Sequence, residues 1–249
     1  MFDLTGRVAI VTGGNGGIGL GMARGLASAG ARVVVAARNA EKSRAALAEL
    51  GSDAFALAAA VCDERSVEAR LGEAVRRCGR LDILVNNAGT NVRKPAHELS
   101  LAEWREVLDT NLTGAFLCSR GAYPHLKRAG GGKIINIGSM LSIFGASFAP
   151  AYGASKGGMV QLTKSLATTW AQDNIQVNAV LPGWIDTDLT RKAREQVAGL
   201  NERVLARTPA GRWGRIDDMA GVAVFLASAA SDFITGAAIP VDGGYSTLV

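Results

Sequence analysis

The chain has 249 residues, 48% hydrophobic and 20% charged, with a formal net charge of +5, a size that suits one α/β domain with a substantial core. Its Lys and Arg residues are scattered and no basic run is interleaved with aromatics, so the charge reads as a solvated surface suited to anionic ligands rather than a nucleic-acid face. Two histidines (His97, His125) and three widely spaced cysteines (Cys62, Cys78, Cys118) argue against a Ser-His-Asp triad or a metal site; the thiols are expected reduced, in a cytoplasmic protein with no leader pattern at Met1-Phe2-Asp3 and no membrane-spanning apolar stretch.

In chain order, residues 7–11 read as a short buried strand and 17–30 as a helix closed by glycine. Residues 32–36 form a second strand, 40–50 an Ala-rich helix and 54–61 a third strand. A helix over 66–78 precedes a fourth strand at 81–85. Ser100 followed by Glu103 is a capping-box start for the next helix. Residues 133–137 give a fifth strand, 151–172 a long helix and 176–181 a sixth strand. Helical material follows over about 190–206 and 217–227, and 238–241 is a short seventh strand. Continuous apolar strands, each followed by a helix, predict a seven-stranded parallel sheet covered on both faces: a single-domain, doubly wound Rossmann fold over 1–249. Ligands of such sheets sit beyond the carboxyl ends of the strands.

Thr12-Gly13-Gly14-Asn15-Gly16-Gly17-Ile18-Gly19 follows the first strand and opens the first helix. Glycines there permit a tight turn and close backbone approach to a pyrophosphate, which the helix N-terminus attracts. The strand–loop–helix context favours a dinucleotide site over a plain glycine turn. The second strand ends Ala36-Ala37-Arg38-Asn39, with no acid for a ribose 2′-hydroxyl. Arg38 could pair with a 2′-phosphate, which points to NADP(H); a bystander arginine would leave NAD(H) possible. Tyr152 and Lys156 are one helical turn apart, so they share a face, and a cation beside a phenol is expected to lower its pKa and tune it for acid–base work. Ser139 past the fifth strand and Asn111 in a helix each have a bland reading, as turn and helix-bending residues.

Together these motifs make the chain similar to the short-chain dehydrogenase/reductase family along nearly its whole length. The glycine loop resembles that family's Thr-Gly-x-x-x-Gly-x-Gly, and Asn86-Asn87-Ala88-Gly89 its Asn-Asn-Ala-Gly. Asn111, Ser139, Tyr152 and Lys156 resemble its catalytic tetrad, Pro182-Gly183 with Ile185 and Thr187 the segment beside the nicotinamide, and Val241-Asp242-Gly243-Gly244 its C-terminal ending. The resemblance implies an oxidoreductase in which Tyr152 is general acid or base. It implies that Lys156 stabilises the phenolate and holds the nicotinamide ribose, and that Ser139 orients the substrate oxygen. Asn111 would fix a helix distortion and a water of a proton relay. It further implies cofactor contacts at Gly13, Asn15, Gly17, Ile18, Gly19, Arg38, Val61, Asn87, Ala88, Gly89, Tyr152, Lys156, Pro182, Gly183, Ile185 and Thr187, with no metal. One departure is visible: Ala60 stands where an acidic or amide side chain is usual near the adenine, which leaves backbone contacts near Val61, and Asp63 reads as a helix-capping acid.

The variable segment 184–213 is expected to form a substrate lid. Met140, Leu141, Phe144, Phe148 and Trp184 could make an apolar wall, with Arg191 and Arg194 either meeting a carboxylate or lying on a solvated helix face. Ser139-Met140-Leu141-Ser142 and Pro209-Ala210-Gly211-Arg212-Trp213-Gly214 look like the branch acting on sugar acids and polyols, gluconate and deoxygluconate dehydrogenases among them. The expected partner is thus a small alcohol or ketone, with neither nucleic acid nor membrane. The resemblance also implies a homotetramer paired through the long helix, where Gly157, Gly158, Thr163 and Ala167 are small, with residues 245–249 at a second interface. The competing readings are an NAD(H)-dependent sugar-acid or polyol dehydrogenase, a nucleotide-sugar epimerase or dehydratase, which the length disfavours, and a non-catalytic dinucleotide sensor, which the intact Ser139, Tyr152 and Lys156 disfavour.

Overall fold

The computed structural model describes residues 1–248. Its strands are β1 (Val8–Thr12), β2 (Arg32–Ala37), β3 (Phe55–Ala58), β4 (Ile83–Asn86), β5 (Gly132–Ile137), β6 (Ile175–Pro182) and β7 (Ala238–Val241). They form one parallel sheet in the order β3-β2-β1-β4-β5-β6-β7. The helices are α1 (Gly17–Ser28), α2 (Ala40–Leu47), α3 (Glu64–Cys78), α4 (Leu101–Leu108), α5 (Gly114–Arg128), α6 (Pro150–Trp170), α7 (Asp188–Gln196), α8 (Leu200–Arg207) and α9 (Ala220–Ala227). The doubly wound parallel fold expected from the apolar runs is therefore present.

Side-chain alternation explains why both faces are covered. Ala9 and Val11 of β1 point to one core with Leu20, Met22 and Leu26 of α1 and Leu226 of α9. Val8 and Ile10 point to the other, with Leu71 of α3, Leu126 of α5 and Trp170 of α6. The chain winds outward from β1 to β3, then returns to place β4 on the other side of β1, which opens a crevice at the carboxyl ends of those two strands.

Several element ends differ from expectation for identifiable reasons. The third strand is only Phe55–Ala58, because its one neighbour β2 ends at Ala37, which pairs with Ala58. Past Ala59, whose N–H still donates to Ala37 O (3.3 Å), residues 60–62 line the crevice. The helix expected over 40–50 stops at Leu47, ahead of Gly51 at φ 88. The material over 190–206 is two helices, α7 and α8, divided by extended Val197 and left-handed Gly199. Ser100 and Glu103 form the capping box, and Asp63 caps α3 by accepting from Ser66 N. Thr163 and Ala167 are buried in their own core rather than presented to a partner, and Thr163 Oγ1 accepts from Asn136 Nδ2. Val249, the end of the segment expected at a second interface, lies outside the described residues. Among the described residues no helix is long and apolar enough to cross a membrane, and no cluster of His, Cys, Asp and Glu could hold a metal ion. All three cysteines are free, Cys62 exposed and Cys118 buried.

At the amino edge of the sheet, buried Asp82 gathers Val8 N (2.9 Å), Arg7 Nη1 (2.9 Å) and both Arg80 Nε (2.9 Å) and Nη2 (2.6 Å). Burial pushes its carboxyl pKa up, but the hydrogen bonds from Arg80, Val8 and Arg7 outweigh this and hold it below the ordinary 3.8. A depressed carboxylate contributes stability that is present above its unfolded pKa and lost as pH falls through the folded one. Asp82→Asn is therefore expected to lower stability at neutral pH by roughly 1–3 kcal/mol and to flatten the fall in stability below about pH 4. Urea unfolding followed by circular dichroism at pH 7 and pH 3 measures both.

Candidate active site

Thr12 joins the two strands that flank the crevice. Its hydroxyl donates to Val85 O (3.2 Å) and accepts from Asn87 N (2.9 Å) and Ala88 N (3.1 Å). Asn87 Nδ2 answers by donating to Thr12 O (3.0 Å) and Gly13 O (3.1 Å). The glycine loop is thus fastened to the end of β4. Gly19 lies under this tie: a Cβ there would collide with Asn87 Nδ2 and Gly13 O. Of the expected cofactor residues it alone does not line the cavity, and it acts through close packing instead.

The cavity at the carboxyl edge has a volume of about 950 Å³. Gly13, Asn15, Gly17, Ile18, Arg38, Val61, Asn87, Ala88 and Gly89 line one part of it; Tyr152, Lys156, Pro182, Gly183, Ile185 and Thr187 line another. The site fits a dinucleotide on three counts. The first turn of α1 has no acidic residue and no side-chain cap, so its N–H groups are free for an anion. Arg38 is exposed at the mouth with no ion-pair partner among the described residues. The base end is apolar, with Ala36, Ala59, Ala60 and Val61. Asn15 Nδ2 donates to Asn39 O and Ser43 Oγ (both 3.2 Å), which ties the loop to the start of α2.

Ser139, Tyr152 and Lys156 converge on this cavity, and Asn111 stands behind them. Residues Asp109–Thr113 form a π-helical turn between α4 and α5. This widened turn swings fully buried Asn111 toward α6. Its Nδ2 donates to Thr90 O and Ser155 Oγ (both 3.0 Å), and its Oδ1 accepts from Thr90 N (2.8 Å). Ser155 Oγ in turn donates to Tyr152 O (2.8 Å), so the turn anchors the base of α6 beneath Tyr152. Ser139 Oγ accepts from Leu141 N (3.1 Å), and its hydroxyl is directed at the Tyr152 phenol oxygen.

The electrostatics correct the expectation drawn from helix spacing. Lys156 Nζ reaches across to β5 and donates to Ile137 O at 2.6 Å, and it lies 5.5 Å from the centre of the Tyr152 ring. Burial pushes the Lys156 ammonium down to about 8. Burial also pushes the Tyr152 phenol above its ordinary value, opposed by the Ser139 hydroxyl and the Arg93 guanidinium. The phenol is therefore raised, because desolvation outweighs the neighbouring positive charge.

Leu141, Phe144 and Trp184 line the cavity, with Met140 and Phe148 beside them. Arg191 and Arg194 do not: both pair with Asp186, Arg191 Nη2 at 2.9 Å. The segment 184–213 keeps its own small core of Ala193, Leu200 and Val204 under Trp184 and Trp213. Thr187 caps α7 as well as lining the cavity. Four cavity cations went unread in the sequence: Lys42, Arg93, Arg203 and Arg207. Arg93 is held to α7 by Leu189 O (2.8 Å) and Gln196 Oε1 (3.1 Å). Its place just after the Asn-Asn-Ala-Gly turn was the one available signal.

A family model described as enoyl-(acyl carrier protein) reductase matches residues 13–246. The chain is 42% identical over 246 residues to 2-dehydro-3-deoxy-D-gluconate 5-dehydrogenase of Escherichia coli, covering 98% of this chain and 97% of that protein. It is 43% identical over 249 residues to cis-4-hydroxycyclohexanecarboxylate dehydrogenase of Sinomonas cyclohexanicum, covering 97% of each. It matches the crystal structure of a gluconate 5-dehydrogenase from Burkholderia cenocepacia, in complex with NADP and tartrate, with a TM-score of 0.93 at 41% identity, over 100% of this chain and 98% of that one.

The raised phenol is directly measurable. An ultraviolet difference titration of the ligand-free protein against Tyr152→Phe should show one tyrosine ionising above the ordinary value of 10.0. Ionisation near neutral pH would contradict the dominance of burial.

Proposed function

The chain belongs to the short-chain dehydrogenase/reductase family, and on that premise we propose that it is an NADP(H)-dependent dehydrogenase of a small sugar acid or polyol, with Tyr152 as general acid and base. The observation that carries this reading is the convergence of Tyr152, Ser139 and Lys156 on one cavity with the glycine loop and a partly desolvated cation, Arg93. The 41–43% identity to sugar-acid and hydroxy-acid dehydrogenases over almost the whole chain supports the substrate class.

Bound in the crevice, NADP(H) would supply hydride exchange with the substrate carbon. Its pyrophosphate would be held by the loop and the α1 N-terminus, and its 2′-phosphate by Arg38. Ser139 would turn its hydroxyl from Tyr152 to donate to the substrate oxygen and fix that oxygen beside Tyr152. In reduction Tyr152 delivers its proton to this oxygen, and the raised pKa keeps the phenol protonated for that task at neutral pH. In oxidation the phenolate accepts the alcohol proton. Lys156 is positive below about pH 8 and stabilises that phenolate across the turn of α6. Arg93, joined to α7 through Leu189 O, places a positive charge near Tyr152 when the lid is packed down.

Tyr152→Phe should fold as the parent does and bind NADPH within about threefold of it, while turnover falls by roughly 10²- to 10⁴-fold. Assays of both proteins with either nicotinamide across sugar acids, polyols and cyclic ketones decide the matter. Undiminished turnover by the phenylalanine variant would overturn the proposed role.

A further inference from the structure

Arg207 ends α8 and reaches the same cavity on the β5–β7 side, away from the glycine loop. Its guanidinium carbon lies 4.6 Å from the ring centre of Phe144 and 4.6 Å from that of Tyr245. The two rings meet edge to face at 6.3 Å. Both are seated on a small core with Met140 and Leu181. Tyr245 is further fixed by the turn before it: Asp242 accepts from Gly244 N (2.9 Å) and Ser246 N (2.8 Å), and Gly243 and Gly244 take φ 64 and 88.

Stacking uses the faces of a guanidinium and leaves its in-plane N–H fork available. Arg191, Arg194 and Arg212 each spend that fork on a carboxylate. Among the described residues Arg207 has no carboxylate partner and no hydrogen-bond acceptor for its guanidinium. A cation at a helix C-terminus complements the helix dipole, but that role calls for neither two flanking rings nor a position on the cavity wall.

We propose that Arg207 is a specificity-determining residue that binds the carboxylate of an anionic substrate, held in readiness by the Phe144–Tyr245 pair. The assignment rests on the dehydrogenase reading above and adds to it the group that separates an acid from its neutral counterpart. A planar fork matches a carboxylate in two parallel hydrogen bonds.

The test compares the parent, Arg207→Gln and Arg207→Lys on four- to six-carbon sugar acids and on the alditols of the same length. The parent should favour the acids. In Arg207→Gln the KM for the acid should rise roughly 10- to 100-fold, the loss expected for a hydrogen bond to a charged group, and the preference for acid over alditol should collapse. Arg207→Lys, with charge but no planar fork, should fall between the two. Calorimetric binding of tartrate should weaken in the same order. A merely structural role would lower acid and alditol turnover alike, and an unchanged preference in Arg207→Gln overturns the proposal. A parent that oxidises alditols but not acids also overturns it while the dehydrogenase reading stands. A parent that turns over neither with either nicotinamide defeats both.

Discussion

A parallel sheet delivers the carboxyl ends of all its strands to one edge, where backbone and side-chain polar groups leave the ladder unpaired. Meeting that requirement organises the rest of the molecule. Thr12 bridges β1 to β4, Asn86 donates to Asn136 on the neighbouring strand at 2.8 Å, and Lys156 covers the carbonyl that ends β5. Asn111 performs the same service for the loop after β4. These side chains satisfy a buried edge and in doing so hold the cavity wall rigid. The residues that finish the sheet and the residues that face a ligand are accordingly the same or adjacent ones.

The electrostatics of that edge follow from its dryness. Lys156 and Tyr152 are both driven toward their neutral forms by burial, one downward and one upward. Free phenol and ammonium are nearly matched in pKa; burial moves them apart, so the phenol keeps its proton and the ammonium is the more readily deprotonated of the two. Arg93 adds charge from the α7 side, so the position of α7 is linked to Tyr152 through a single guanidinium. Arg207 stands on the cavity wall with its faces covered by two rings. Arg93, Tyr152, Lys156 and Arg207 thus line one cavity.

Much of this was legible in the chain because apolar runs leave little choice: a strand buried on both faces reads as a continuous run of apolar residues rich in Val and Ile, as in β1 and β2. The glycine loop and Tyr152–Lys156 were legible because each is local, with spacing that belongs to one turn or one helix. What escaped depends on convergence across the chain. Phe144, Arg207 and Tyr245 come from three distant segments, and no local pattern joins them. Thr163 and Ala167 look like a small-residue stripe on α6 until the position of Asn136 turns them inward. The tyrosine pKa failed for a related reason: helical spacing places Lys156 on the right face, but only the fold reveals that Ile137 O takes its ammonium. Arg191 and Arg194 were reserved by Asp186, an acid five and eight residues earlier whose role depends on how the lid folds.

The dinucleotide crevice underlies every other functional statement, so the most direct measurement is titration of the purified protein with NADPH and with NADH, followed by nicotinamide fluorescence. With Arg38 free to meet a 2′-phosphate, NADPH should bind at least about tenfold more tightly, the worth of one charge-assisted contact. Equal affinity or a preference for NADH would make Arg38 a bystander and move the cofactor assignment to NAD(H). Binding of neither would contradict the reading of the glycine loop, and with it the catalytic assignment of Tyr152.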